Sequence, residues 1–137
     1  MRSKNLYPVL WAVVIMVLTS LACSVGGSTP GASNFYMATD EAGTNRTNVF
    51  STTDDFYVFF DVTDIEPGTT FQSRWYALNI DGQDPNEPFQ TIDYTYEEGI
   101  GNVYFQLTND EGWPVGNYKV EVYMNGTEVG EQEFSVQ

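Results

Sequence analysis

In the run "DDFYVFFDVT", residues 54–63, Phe56, Val58, Phe60 and Val62 fall on one parity and Tyr57, Phe59 and Asp61 on the other. A period of two marks a strand with unlike faces, because successive side chains of a strand point to opposite sides of the sheet. The pattern recurs down the chain. Phe35–Thr39 predicts a strand ahead of this one. "TTFQSRWYAL", 69–78, sets Phe71, Ser73, Trp75 and Ala77 against Gln72, Arg74 and Tyr76. "FQTIDYTY", 89–96, and "NVYFQLT", 102–108, follow, the latter with Val103, Phe105 and Leu107 on one face. Tyr118, Val120, Val122 and Met124 then alternate with Lys119, Glu121 and Tyr123, as in a strand wet on one side. In the return strand Phe134 and Val136 share one parity and Val129 the other, so a bulge near Gly130 is expected.

Turn residues punctuate these runs. Glu66-Pro67-Gly68 places proline and glycine as a type II turn requires. Asn125-Gly126 is a type I′ hairpin pair, since both residues tolerate positive φ. Asn79–Pro88 is a polar loop. About seven short strands at regular spacing argue for an all-β sandwich or barrel. Aromatic residues make up 15% of the chain, and the domain carries few strong helix formers at a 3.6-residue period, which agrees with pleated, half-buried surfaces.

The N-terminus reads differently. Arg2 and Lys4 precede an apolar stretch from Leu6 to Leu18, and small or polar residues lead to Cys23, the single cysteine. A basic start, a short apolar run and a small-residue exit describe a secretory signal. The segment resembles a bacterial lipoprotein signal, with Ala22 directly before the cysteine and Ser20 where the family carries leucine. That resemblance implies cleavage after residue 22, lipid on Cys23 and anchoring in a membrane outside the cytoplasm. The alternative is an uncleaved membrane anchor: Leu6–Ala22 is 17 residues, the lower end of the roughly 17–25 that cross a bilayer. Residues 23–34, rich in Gly and Ser, form a flexible tether, and residues 35–137 form one domain.

Charge narrows the partners. The whole chain carries −14, and without Arg2 and Lys4 the remainder carries −16, with all 19 acids and only Arg46, Arg74 and Lys119 as bases. Such a field repels phosphates, which excludes nucleic acid.

Two landmarks select the sandwich. Trp75 in the third predicted strand, and Gly116-Asn117-Tyr118-Lys119-Val120 opening the sixth, resemble the buried tryptophan and the tyrosine corner of immunoglobulin-like domains. Val120 stands where the family has its second cysteine, opposed by Phe60 or Val58, so apolar packing replaces the disulfide. The resemblance, which extends to immunoglobulin-like modules of bacterial surface proteins, implies a single antiparallel immunoglobulin-like β-sandwich behind an N-terminal hydrophobic signal or anchor helix. It implies no activity.

Catalytic chemistry finds little to work with. There is no histidine to activate a nucleophile or ligate zinc, and no glycine-rich phosphate loop. Asp81, Asp84 and Glu87, bent by Gly82 and Pro85, are candidate calcium ligands; the same residues also make ordinary turns. The remaining candidates are aromatic. Tyr57, Phe59 and Tyr104 would face outward from one sheet and Arg74, Tyr76 and Tyr123 from the other, as surfaces for a protein or glycan partner. Against this, tyrosines suit half-exposed strands, and Phe59 could be covered by residues 45–53. The expectation is a non-catalytic surface module that binds a protein or a glycan, the alternatives being a carbohydrate-binding module or a calcium-stabilised adhesion module.

Overall fold

The computed structural model describes residues 31–137, all of them in strands, turns or irregular segments. The apolar leader, Cys23 and the tether up to residue 30 lie outside the described residues. Eight strands follow: β1 (Gly31–Ala38), β2 (Val49–Phe50), β3 (Phe56–Thr63), β4 (Thr70–Ala77), β5 (Gln90–Thr95), β6 (Asn102–Leu107), β7 (Gly116–Met124) and β8 (Thr127–Val136). They form a three-stranded sheet, β1-β3-β6, and a five-stranded sheet, β2-β8-β7-β4-β5.

The alternating runs land on these strands with small corrections. β1 begins at Gly31 rather than Phe35, because Ala32 and Ser33 already pair with Val62 and Asp61 of β3. A register shift between Ser33 and Tyr36 breaks the alternation there. Asn34 turns to φ 57° and donates its amide to Asp61, so the segment reads as a spacer in sequence and a bulged strand in space. The additional strand is β2, whose two residues are too few to show a period. It pairs parallel with β8, so the sandwich is not wholly antiparallel.

The hairpin and bulge follow expectation. Asn125 and Gly126 take φ of 49° and 86° and join β7 to β8. Val122 pairs with Gly130 and Tyr123 with Glu128, leaving Val129 as the extra residue. The shift restores Phe134 and Val136 to the core. Gly130 has a second duty: a Cβ there would stand 2.5 Å from the Phe35 ring, which crosses from β1 and stacks on Phe60.

Phe56 lies at the centre of the core. Its ring meets Phe50, Trp75, Trp113, Tyr118 and Phe134, with centroids between 4.4 and 6.2 Å. Trp75 is fully buried and donates its indole N–H to Ser73 Oγ at 2.9 Å. Trp113 does the same to the Asp54 carbonyl at 2.9 Å. The Tyr118 hydroxyl donates to the Pro114 carbonyl, four residues upstream, at 2.6 Å; this is the corner read from the sequence. Val120, Val58 and Phe60 share the cluster where the disulfide would stand. Among the described residues every buried side-chain polar atom has a partner.

Replacing Tyr118 by Phe removes the corner hydrogen bond with little change of shape. Urea unfolding of the domain should show a loss of about 1 kcal/mol. Gly130→Ala should cost about 1–3 kcal/mol, because Phe35 must leave its site or β8 must shift. Unchanged midpoints in both would contradict this packing.

Candidate functional site

Two outer sheet faces and one acidic loop carry the candidate residues. On the three-stranded sheet, Tyr57, Phe59 and Tyr104 are mutual neighbours, with ring centroids 5.3 to 6.1 Å apart. They are not an open stacking platform, however: Tyr57 is 6% and Phe59 3% exposed. The Tyr36 ring lies parallel on Phe59 at 5.0 Å, and the Arg46 guanidinium lies 3.6 Å above Tyr36. The cover comes from Tyr36 and the loop 39–47, which shares residues 45–47, Arg46 among them, with the expected segment 45–53. That loop is fastened at its base by the Ala38–Arg46 bridge and at its turn by Asp40, which accepts the Asn45 N–H at 2.9 Å. Hydrogen bonds from Thr44 and Asn45 hold the Asp40 carboxyl below its ordinary pKa. Only Tyr104 stays open, at 37%, and its hydroxyl donates to Glu41 Oε1 at 2.7 Å.

On the five-stranded sheet the pleat brings the expected residues together. Arg74 lies opposite Glu121, Tyr76 opposite Lys119 and Gln72 opposite Tyr123. The Arg74 guanidinium sits 3.9 Å from the Tyr123 ring centroid, and Lys119 Nζ 4.7 Å from that of Tyr76. Tyr76 is thereby buried at 8%, covered by its neighbours instead of open. Lys119 reaches Glu121 at 3.2 Å and Glu131 at 3.4 Å, and the Tyr123 hydroxyl donates to Glu121 Oε1 at 2.8 Å. Arg74 Nε donates to Gln72, which in turn donates to Asp93. The result is a fixed, amphipathic surface of two rings, two cations and their acids.

Glu121 is the hub of this network. Burial pushes its carboxyl up, but hydrogen bonds from Tyr123, Tyr76 and Lys119 outweigh burial and hold it below the ordinary range. Burial, with the Glu121 hydrogen bond and charge behind it, pushes the Tyr123 phenol up to about 12.

The acidic loop does not converge. Asp81, Asp84 and Glu87 are exposed, Asp84 Oδ1 accepts the Asn86 N–H as in an ordinary turn, and among the described residues no group of three or more Asp, Glu, Cys or His is placed to hold a metal.

No family model matches the chain, and no curated protein matches it in sequence. Solved structures do match in shape. An immunoglobulin-like protein from Pseudomonas aeruginosa superposes with a TM-score of 0.56 at 12% identity, over 81% of this chain and 100% of that one. The fold is immunoglobulin-like. An alkylpurine DNA glycosylase from Pseudomonas fluorescens matches at 0.50 and 13% identity, over 81% of this chain and 31% of that one. A β-glucosidase from Listeria innocua matches at 0.50 and 18% identity, over 76% of this chain and 16% of that one. The chain thus spans under a third of either enzyme, and at such identities the likeness shows the fold alone.

Tyr36, Glu41 and Arg46 escaped the sequence reading. Tyr36 pairs with Phe59, so its parity could have revealed it, but the bulge before it hides the phase. Tyr123 yields a prediction in alkali. A phenol raised in the folded state contributes stability that is full below the unfolded value near 10 and is lost as pH climbs through about 12. Stability of the domain should therefore fall across that window, and Tyr123→Phe should flatten the fall. An ultraviolet titration in which the substitution removes a phenol ionising at the ordinary value would contradict the network.

Proposed function

We propose that this chain is a non-catalytic binding module of the cell envelope, held at a membrane by lipid on Cys23, that contacts a protein partner through the outer face of the five-stranded sheet. The observation that carries the reading is the fixed array of Arg74, Tyr123, Tyr76, Lys119 and Glu121. Tyrosine and arginine are the residue types that carry binding energy at protein interfaces, and rings already locked by neighbours lose little entropy on docking. The absence of histidine from the whole sequence supports a role without catalysis. A glycan partner is less well served, because stacking needs open ring faces and Tyr57 and Phe59 lie beneath Tyr36 and loop 39–47.

A photo-crosslinking residue at Glu133, exposed beside the array and opposite Lys119, should give a discrete protein adduct in intact cells, and one at Asp64, away from the network, should not. Arg74→Ala with Tyr123→Ala should abolish partner binding while leaving the fold intact. Binding on a glycan array that disappears with Tyr104→Ala would overturn the protein reading. For the anchor, mass spectrometry of the mature protein should find an acylated N-terminal Cys23; an N-terminus at Met1 or Arg2 would favour the uncleaved span.

A further inference from the structure

The two sides of the sandwich are unlike. On one side β1 leans onto β8, with Phe35 over Gly130 and Gln132 bonded to the Phe35 carbonyl. On the other, β5 and β6 are both edge strands among the described residues, and a groove of about 370 Å³ runs between them. Ile92 and Tyr94 from β5, Ile100 from the connection, and Val103 and Phe105 from β6 give it apolar walls, and Asp93, Asn102, Tyr104 and Gln106 line it as well.

The phase of β6 is set by one bond. Val62 donates its N–H to the Gly101 carbonyl at 3.0 Å. Bonded and unbonded pairs alternate in an antiparallel ladder, so Val103, Phe105 and Leu107 bond to β3, while Asn102, Tyr104 and Gln106 turn their N–H and C=O groups outward. Exposed edges are usually blunted by charge, proline or a bulge. β6, "NVYFQL", has no charged residue and no proline, and it pairs with β3 without a register shift. Acids bracket it instead: exposed Glu97 and Glu98 before it, exposed Asp110 and Glu111 after it. Every cation among the described residues already lies over a ring elsewhere.

We propose that the free edge of β6 takes an extended segment of a partner protein as an added antiparallel strand, the segment carrying Lys or Arg toward the bracketing acids and apolar side chains toward the groove. Main-chain bonds to Asn102, Tyr104 and Gln106 supply affinity, and the groove and acids supply selectivity. A second copy of this chain is the poorer occupant: antiparallel β6–β6 pairing would bring Glu97 and Glu98 against Asp110 and Glu111 of the other molecule. The inference rests on the reading of the domain as a protein-binding module, but it uses a different surface.

The test uses the domain from residue 31 within the full chain and a capped decapeptide alternating Lys and Val. Titration should give saturable binding that weakens with added salt, and the amides of Tyr104 and Gln106 should exchange rapidly in the free protein and slowly in the complex. Gln106→Pro removes an outward N–H without touching the β3 ladder and should weaken binding about tenfold. Asp110→Lys with Glu111→Lys, which alters no backbone group, should weaken it likewise. Equal binding of a Glu–Val peptide, indifference to both variants, or a dimer dissolved by Gln106→Pro would overturn the proposal. If the peptide fails to bind the unaltered protein while envelope crosslinks form at position 133, the edge is refuted and the face reading stands. If the peptide binds the unaltered protein and no envelope crosslink forms at position 133, the face is refuted and the edge stands.

Discussion

The contact of Phe56 with the opposite sheet is the constraint from which the rest follows. One ring on β3 meets rings from β2, β4, β7 and β8, together with Trp113 from the loop before β7. Two stacked sheets have no ladder between them, so side-chain packing must hold them together. The folded part contains no cysteine, and a disulfide cannot share the work. Large rings suit the task, since each buries much apolar area and each well-placed pair adds about 0.5–1.5 kcal/mol. Their polar atoms need partners, and the short bonds of Trp75 to Ser73, Trp113 to Asp54 and Tyr118 to Pro114 provide them.

A core built this way leaves only surfaces for function. The acids are spread over the exterior, whereas the few cations are placed one at a time on rings: Arg46 on Tyr36, Arg74 on Tyr123, Lys119 on Tyr76. On the three-stranded sheet such a pair closes a cover over Phe59. On the five-stranded sheet two such pairs surround Glu121 and fix a surface in place. The same chemistry therefore seals one face and arranges the other. The difference lies in loop 39–47, which folds back over its own sheet, whereas among the described residues the cover of Tyr76 on β4 comes from side chains of the same face.

The sequence made the sheets legible where alternation was uninterrupted. β3, β4, β6 and β7 could be read residue by residue, and Trp75, Tyr118 and the Asn125-Gly126 turn lie where the pattern puts them. It failed where the period breaks or is too short. Asn34 hides the start of β1 behind a bulge, and β2 has two residues and no alternation to detect. The outer residues were assigned to the correct faces, but parity tells which way a side chain points and not what lies above it. Tyr57 and Phe59 point away from the core and are buried all the same, because their cover comes from residues distant in sequence. The open side between β5 and β6 was invisible for the same reason, since strand order is a property of the tertiary fold.

Equilibrium unfolding of Phe56→Ala beside the unaltered domain tests the central contact most directly. Removing the ring should cost about 3–5 kcal/mol, because neither sheet can collapse into the space without breaking its own ladder. A loss below about 1 kcal/mol with an unchanged cooperative transition would mean that the sheets are held by something other than this cluster.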